Sequence, residues 1–330
     1  MELSIVSTLY RSAPFVAEFC RRAATAAREL TDDFEIVLVN DGSPDASLDL
    51  ARSLQTEDPR IRIVDLSRNF GHHKAMLTGL SRAQGDLVFQ TDSDLEEDPE
   101  LLATYHEQLR QSRADVVYGV VHRRQGSLLH VLSGHLFYLV FNLLSSVPLT
   151  PGLTNTRLMS RRYVDALLLH RDQHLFLAGL WALTGFSQQA LIVDKRRKGS
   201  STYTLSRKIA LFVMSITSFS TKPLAFIFVL GIVISAVAIF AALGLIVRAV
   251  VFGGLLVGWA SMIVSIWLLG GLTILSIGIV GIYLATIFAE TKPRPYTIIR
   301  DEYVSASEGA DTRDESPHLT VVAGSNGGTE

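Results

Sequence analysis

Apolar and polar positions alternate along this chain in three successive patterns. From Leu3 to Val121, short apolar runs trade places with stretches whose apolar residues recur at helical spacing. The runs predict strands over Leu3–Thr8, Phe34–Asp41, Arg60–Leu66, Asp86–Asp92 and Ala114–Val121. The spaced stretches predict helices over Phe15–Leu30, Ser47–Gln55, His72–Gln84 and Pro99–Ser112. Such strict alternation implies an α/β domain with a mostly parallel, doubly wound, Rossmann-like sheet. A second pattern covers Leu205 to Lys222. Ile209, Phe212, Val213, Ile216 and Phe219 share one helical face, opposite Arg207, Lys208, Ser215 and Ser218. It reads as an amphipathic helix in the headgroup layer, or else as a domain helix packed on the sheet.

The third pattern is an almost chargeless segment. Between Leu224 and Ala289 the one charged residue is Arg248. Both uncharged stretches exceed the roughly 20 residues that cross a bilayer core, and Gly253-Gly254 suggests a turn between them. Two transmembrane helices are expected, at about 224–247 and 259–289. Arg207, Lys208 and Lys222 precede them, and Lys292, Arg294 and Arg300 follow. The positive-inside rule then leaves both the N-terminal domain and the C-terminus in the cytoplasm, as a multi-pass protein of the inner (cytoplasmic) membrane. The expected division is 1–204 for the α/β domain, 205–222 for the amphipathic helix, 223–290 for the two-helix anchor and 291–330 for a tail. After about 304 that tail is small and polar enough to be disordered. Gly254 and Gly258 form a small-xxx-small pair that leaves a homo-oligomer open.

Composition narrows the classes. A net charge of −2 over 330 residues argues against nucleic acid as a partner. The lone cysteine, Cys20, can form neither an internal disulfide nor a thiolate metal cluster. The N-terminus lacks the basic start and apolar core of a signal peptide. No G-x-G-x-x-G follows the first strand and no P-loop motif occurs.

The candidate chemistry lies where strands end. Open α/β sheets bind ligands at the carboxyl edge, and the fourth strand runs there into TDSDLEEDPE, Thr91–Glu100. Two carboxylates that close repel unless a cation lies between them, and Mg²⁺ or Mn²⁺ commonly bridges carboxylates to substrate phosphates. On an extended backbone Asp92 and Asp94 point the same way, with Glu96 two residues on. Asp94 is therefore the expected principal metal ligand, Asp92 a ribose or metal partner and Glu96 a possible third ligand. Glu97, Asp98 and Glu100 read as the acidic first turn of the next helix, with Pro99 at its first position. After the second strand, Asn40-Asp41-Gly42-Ser43 projects a carboxylate able to accept from a base N–H or ribose hydroxyl, though it is also ordinary turn chemistry. Arg68 and Lys74 are candidate phosphate partners. His72 and His73 resemble a metal pair, but adjacent positions at a helix start diverge. Two basic clusters remain: His122–Ser127, with Arg123, Arg124 and Ser127, and Lys195–Tyr203, with Arg196, Arg197 and Lys198. They could grip phosphates or attract anionic lipid headgroups.

VNDGSPD, LSRNFGHHKAMLTGL, Asp92-Ser93-Asp94, KRRKGSSTY and the two-helix segment, taken in order, resemble the family 2 glycosyltransferases of GT-A fold. Within them the chain is similar to polyprenyl-phosphate sugar transferases such as bactoprenyl-phosphate glucosyltransferases and dolichyl-phosphate mannose synthases. The resemblance implies that Asp41 contacts the nucleobase and that Asp92 with Asp94 holds the divalent cation on the donor diphosphate. It implies that the basic loop, with Ser201 and Tyr203, closes over the site. The donor would be a nucleotide-sugar, UDP-sugar first, and the acceptor a polyprenyl phosphate at the bilayer. The chain departs from the family where the first strand runs into Thr8-Leu9-Tyr10-Arg11 with no acid, leaving Leu9 and Tyr10 to meet the nucleotide. It departs again near Asn155-Thr156-Arg157-Leu158, where relatives often carry an acid ahead of the Arg-Leu pair, and at Glu96, where Gln is common. A lipid monophosphate, with a second pKa near about 6, needs no general base. Arg197 and Lys198 would join the acidic pair in stabilising the leaving diphosphate of an inverting transfer. A processive polysaccharide synthase fits less well, because Gln-x-x-Arg-Trp is absent. A non-catalytic membrane scaffold is the other alternative.

Overall fold

The computed structural model describes residues 1–121, 152–173, 175–193, 220–252, 258–292 and 294–304, which fall into two units. The first unit comprises β1 (Leu3–Leu9), α1 (Val16–Arg28), β2 (Phe34–Asn40), α2 (Ser47–Glu57), β3 (Ile61–Leu66), α3 (His72–Arg82), β4 (Leu87–Gln90), α4 (Leu101–Ser112) and β5 (Val116–Val121). It continues with β6 (Leu153–Ser160), α5 (Arg161–Leu168), α6 (Leu177–Leu183), β7 (Gln188–Val193) and β8 (Ile299–Tyr303).

These eight strands form one sheet in the order β7-β5-β6-β4-β1-β2-β3-β8. Strands β4, β1, β2 and β3 are mutually parallel neighbours, and every residue of β1 and β2 is buried. Burial on both faces is why these segments read as unbroken apolar runs. Helix α1 covers one face with Val16, Phe19, Cys20, Ala23 and Ala27, the spacing of a single helical stripe.

The expected mostly parallel sheet is in fact mixed. Strand β6 runs antiparallel to both β4 and β5, and β8 antiparallel to β3. Neither segment has the composition of a core strand. LTNTRLMS interleaves polar with apolar residues, and IRDEY is a charged edge strand of the kind that resists further pairing. Strand β8 also revises the tail expected over 291–330, because residues 299–303 complete the sheet of the first unit. Residues 305–330 and most of the expected amphipathic helix, 205–219, lie outside the described residues.

At the amino edge, buried Glu35 ties the strands together. It accepts from Ser4 Oγ at 2.6 Å, from the Gln84 amide at 2.6 Å and from Arg62 Nη1 at 2.9 Å. Arg62 reaches on to Glu302 of β8 at 3.4 Å.

The second unit holds α7 (Lys222–Phe252) and α8 (Trp259–Glu290). Consecutive apolar side chains are exposed on both, including Val229, Ile232 and Val233 on α7 and Trp267, Leu268 and Leu269 on α8. A helix apolar all round its circumference needs an apolar surrounding. Within α8, Ser265–Glu290 is long and apolar enough to cross a membrane, whereas the described apolar stretch of α7 is Lys222–Ile234. Gly254 lies outside the described residues.

Gly85 precedes β4 in a backbone crossing with no room for a side chain: a Cβ there would stand 2.5 Å from Ser4 N and 2.6 Å from Leu3 C. Gly85→Ala is expected to destabilise the first unit by about 1–3 kcal/mol, read as a lower midpoint of denaturant unfolding.

Candidate active site

Because β1 to β4 are parallel, their carboxyl ends share one sheet edge, and four loops meet there. Ser12 Oγ lies 3.0 Å from Ser93 Oγ, and Ser93 Oγ donates to the Thr8 carbonyl at 2.8 Å. The Arg11 amide donates to Ser43 Oγ at 2.7 Å, with Arg11 itself at φ +57°. Asp45 accepts from Ser43 Oγ, Ser47 Oγ and the Ala13 amide. Burial would raise this carboxyl, but those donors outweigh it and hold its pKa at about 2.

Asp41 is buried, and its two oxygens accept from the Phe70 amide at 2.7 Å and the Gly71 amide at 3.0 Å. Burial raises its pKa above the ordinary value of 3.8, partly offset by those two amides. Its carboxylate thus holds the loop that carries Arg68. Asn40 is occupied likewise: Nδ2 donates to Asp65 Oδ1 at 2.7 Å, and Oδ1 accepts from the Ser43 amide at 3.2 Å. Gly42, at φ +58°, lets the two loops touch, since a Cβ would stand 2.5 Å from Asn69 N. Leu9 is not placed to meet a nucleotide through its side chain: it is buried in the core, and its carbonyl accepts from the Asp41 amide. Tyr10, next to it, is 46% exposed. Arg68 lies over the Phe70 ring at 4.1 Å, and Lys74 sits in the first turn of α3, half-buried.

The acidic string departs from its expected geometry. Strand β4 stops at Gln90, the chain turns at Ser93-Asp94 and Leu95 takes φ +60°. Asp94 Oδ1 accepts from the Glu96 amide at 3.1 Å, an Asx turn. The extended row of Asp92, Asp94 and Glu96 is therefore not formed, and among the described residues no three His, Cys, Asp or Glu side chains are grouped to hold a metal ion. The following acids do not open the helix either, because α4 begins at Leu101. Glu97 is buried and accepts from Thr154 Oγ1 at 3.1 Å, while Asp98 and Glu100 pair with Arg22 at 2.6 and 2.5 Å.

Asp92 is held by Asn155, with His72 beside it. The antiparallel register sets Arg157 opposite Gln90, so Asn155 comes level with Asp92, next to an irregularity where β6 parts from β5. Asn155 Nδ2 donates to Asp92 Oδ2 at 3.0 Å. His72 stands between Thr8 Oγ1, 3.0 Å from Nδ1, and the Asn155–Asp92 pair, with Nε2 3.6 Å from Asp92 Oδ1. His73 turns away to the Leu175 carbonyl at 3.0 Å, and burial lowers its pKa. The histidines therefore do not act as a pair. Asp92 Oδ1 is buried and finds no hydrogen-bond donor among the described residues. An acceptor in that state is costly unless a cation is supplied, so the donor set fits an ion held by one or two carboxylates, with phosphate and water completing its shell. Arg123, Arg124, Ser127, Arg196, Arg197, Lys198, Ser201 and Tyr203 lie outside the described residues.

At the last pair of that register, opposite Gln90, Arg157 is fully buried with its guanidinium over the Trp181 ring at 3.1 Å. Nε and Nη2 find no acceptor among the described residues. Burial lowers its pKa to about 9.

Residues 4–168 match the sequence profile of glycosyl transferase family 2, and the chain belongs to that family. It is a glycosyltransferase. A protein of Mycobacterium tuberculosis (strain CDC 1551 / Oshkosh) named among the glycosyltransferases is 52% identical over 92% of this chain and 89% of its own length. The bactoprenol glucosyl transferase of Shigella phage SfV is 30% identical over 92% of this chain and 99% of its own. Among solved structures, S. aureus TarS 1-349 in complex with UDP-GlcNAc is 18% identical over 66% of each chain, with a TM-score of 0.43.

A buried cation with two of its nitrogens short of acceptors among the described residues adds little to stability, whereas the indole beneath it fills space. Arg157→Met should leave the unfolding midpoint unchanged or raise it. Trp181→Ala should cost about 3–5 kcal/mol in the same denaturation experiment.

Proposed function

We propose that this glycosyltransferase moves a sugar from a nucleotide-sugar donor, a UDP-sugar in the first instance, to polyprenyl phosphate at the cytoplasmic face of the membrane, with inversion. The observation that carries the reading is Asp92 beyond the end of β4, with one buried oxygen left without a donor among the described residues. Asp92 and Asp94 would hold Mg²⁺ or Mn²⁺, which when bound neutralises charge on the leaving nucleoside diphosphate. Asn155 fixes the Asp92 carboxylate in place through its 3.0 Å hydrogen bond. Asp41 shapes the loop that presents Arg68 towards the donor, and exposed Tyr10 flanks the base. Arg197 and Lys198, with Arg123, Arg124, Ser127, Arg196, Ser201 and Tyr203, are assigned to the transferring and acceptor phosphates. The acceptor phosphate is already an anion near neutral pH, so positioning replaces proton abstraction. The phage relative named for bactoprenol, matched over nearly its whole length, supports a lipid acceptor.

Chain connectivity supports two crossings. The chain leaves the sheet after β7 and rejoins it as β8, with α7 and α8 between. A folded domain is not threaded through a bilayer, so the number of crossings between β7 and β8 is even. If α8 crosses, α7 crosses as well.

Two experiments test this. Incubated with undecaprenyl phosphate, nucleotide-sugars and Mg²⁺ or Mn²⁺, the protein should yield a chloroform-extractable, mild-acid-labile glycolipid. Asp94→Asn should lower that rate by about a hundredfold or more without shifting the unfolding midpoint. Transfer at the parental rate by that variant would defeat the reading. For topology, Gly254→Cys should react with an impermeant maleimide added outside intact cells, and labelling only after lysis would contradict two crossings.

A further inference from the structure

Strand β8 does more than close the sheet. Its register against β3 runs Ile63↔Tyr303, Val64↔Glu302 and Asp65↔Asp301, then slips so that Leu66 faces Ile299. Arg300 is thereby left as the extra residue of a β-bulge, a device that re-aims a side chain. Its guanidinium meets two groups of the neighbouring strand end: Nη2 donates to the Ser67 carbonyl at 2.7 Å, and Nη1 lies 3.4 Å from Asp65 Oδ2. The Ser67 amide in turn donates to the Ile298 carbonyl at 2.9 Å. Asp65 is buried, and its other oxygen takes Asn40 Nδ2 at 2.7 Å. Just upstream, Thr297 is fully buried with its hydroxyl 2.7 Å from that of Thr78 on α3.

The loop 67–71 is therefore fixed at two places. Asp41 takes the Phe70 and Gly71 amides at its far end, and the segment 298–300 takes both polar backbone atoms of Ser67 at its near end. Arg68 projects between these anchors, and α3 with His72 and Lys74 starts where the loop stops.

Resting on the proposed donor site, we infer that Arg300, aimed by the β8 bulge, is a positioning residue for nucleotide binding. It holds the Ser67–Gly71 loop in its donor-binding shape through Ser67 and Asp65. The segment that follows the last long apolar helix then sets donor affinity from the far side of β3, touching no substrate itself.

The test uses the full-length protein in detergent or nanodiscs, with UDP plus Mg²⁺ as the probe. Arg300→Ala should weaken UDP binding about tenfold and speed hydrogen exchange at the Ser67, Phe70 and Gly71 amides, at a denaturant concentration where the variant is still fully folded. Arg300→Lys should restore part of the affinity. In turnover, the donor KM should rise while kcat and the acceptor KM hold. A measurement without any variant guards against a folding defect: because coupling between sites is reciprocal, UDP plus Mg²⁺ should slow exchange in Ile299–Tyr303 as well as in the loop, and leave β7 unaffected. UDP affinity within twofold of the parent in Arg300→Ala, or nucleotide protection confined to the loop with none in β8, would overturn the inference. The proposed donor site fails differently, through absence of any UDP binding to the parent chain. The lipid acceptor reading fails through absence of glycolipid while UDP binding persists.

Discussion

A carboxylate withdrawn from water must be met by donors or by a cation, and this sheet buries several. Glu35, Asp41, Asp65 and Glu97 are all buried, and each is answered by named donors from a neighbouring strand or loop. Those donors decide the course of the loops: Phe70 and Gly71 come to Asp41, Gln84 comes to Glu35, and Asn40 and Arg300 come to Asp65. Asp92 keeps the same rule on one oxygen, through Asn155, and its other oxygen meets no hydrogen-bond donor among the described residues. The contrast sets Asp92 apart from the carboxylates that build the domain.

The parallel core was legible because its strands are buried on both faces, so that FEIVLVN and LSIVSTL read as apolar runs bounded by turns. The helices between them followed from apolar spacing, and their ends shifted by a few residues. What escaped was β6, β7 and β8, of which β6 and β8 run antiparallel to their neighbours. In β6 the residues facing α4, Thr154 and Thr156, are polar because they bond to Glu97 and Thr91, partners far away in sequence. No local pattern announces such a strand. Strand β8 is charged because Glu302 and Arg300 serve Arg62 and Asp65 across β3.

The site was legible to a similar depth. Asp-x-Asp after an apolar strand put Asp92 and Asp94 at the carboxyl edge of the sheet, but did not announce the turn at Ser93-Asp94 that breaks the row with Glu96. Asp41 was visible as an acid at a strand end, yet its oxygens are spent on backbone amides, which only the folded approach of the 67–71 loop supplies. Asn155 and His72 come beside Asp92 through register and helix placement, neither of which is encoded in their own surroundings.

The return of the chain to the sheet imposes an order on biosynthesis. Strand β3 has no outer neighbour until residues 299–303 have left the ribosome, after both long apolar helices have been made. During that interval the N-terminal domain carries an open, apolar β edge of the kind on which chains aggregate. A shortened version ending before α7, a natural choice for obtaining a soluble protein, would keep that edge open permanently, and with it an unbraced Ser67. The two long apolar helices thus interrupt the sequence of the first unit, whose sheet is completed by residues 299–303.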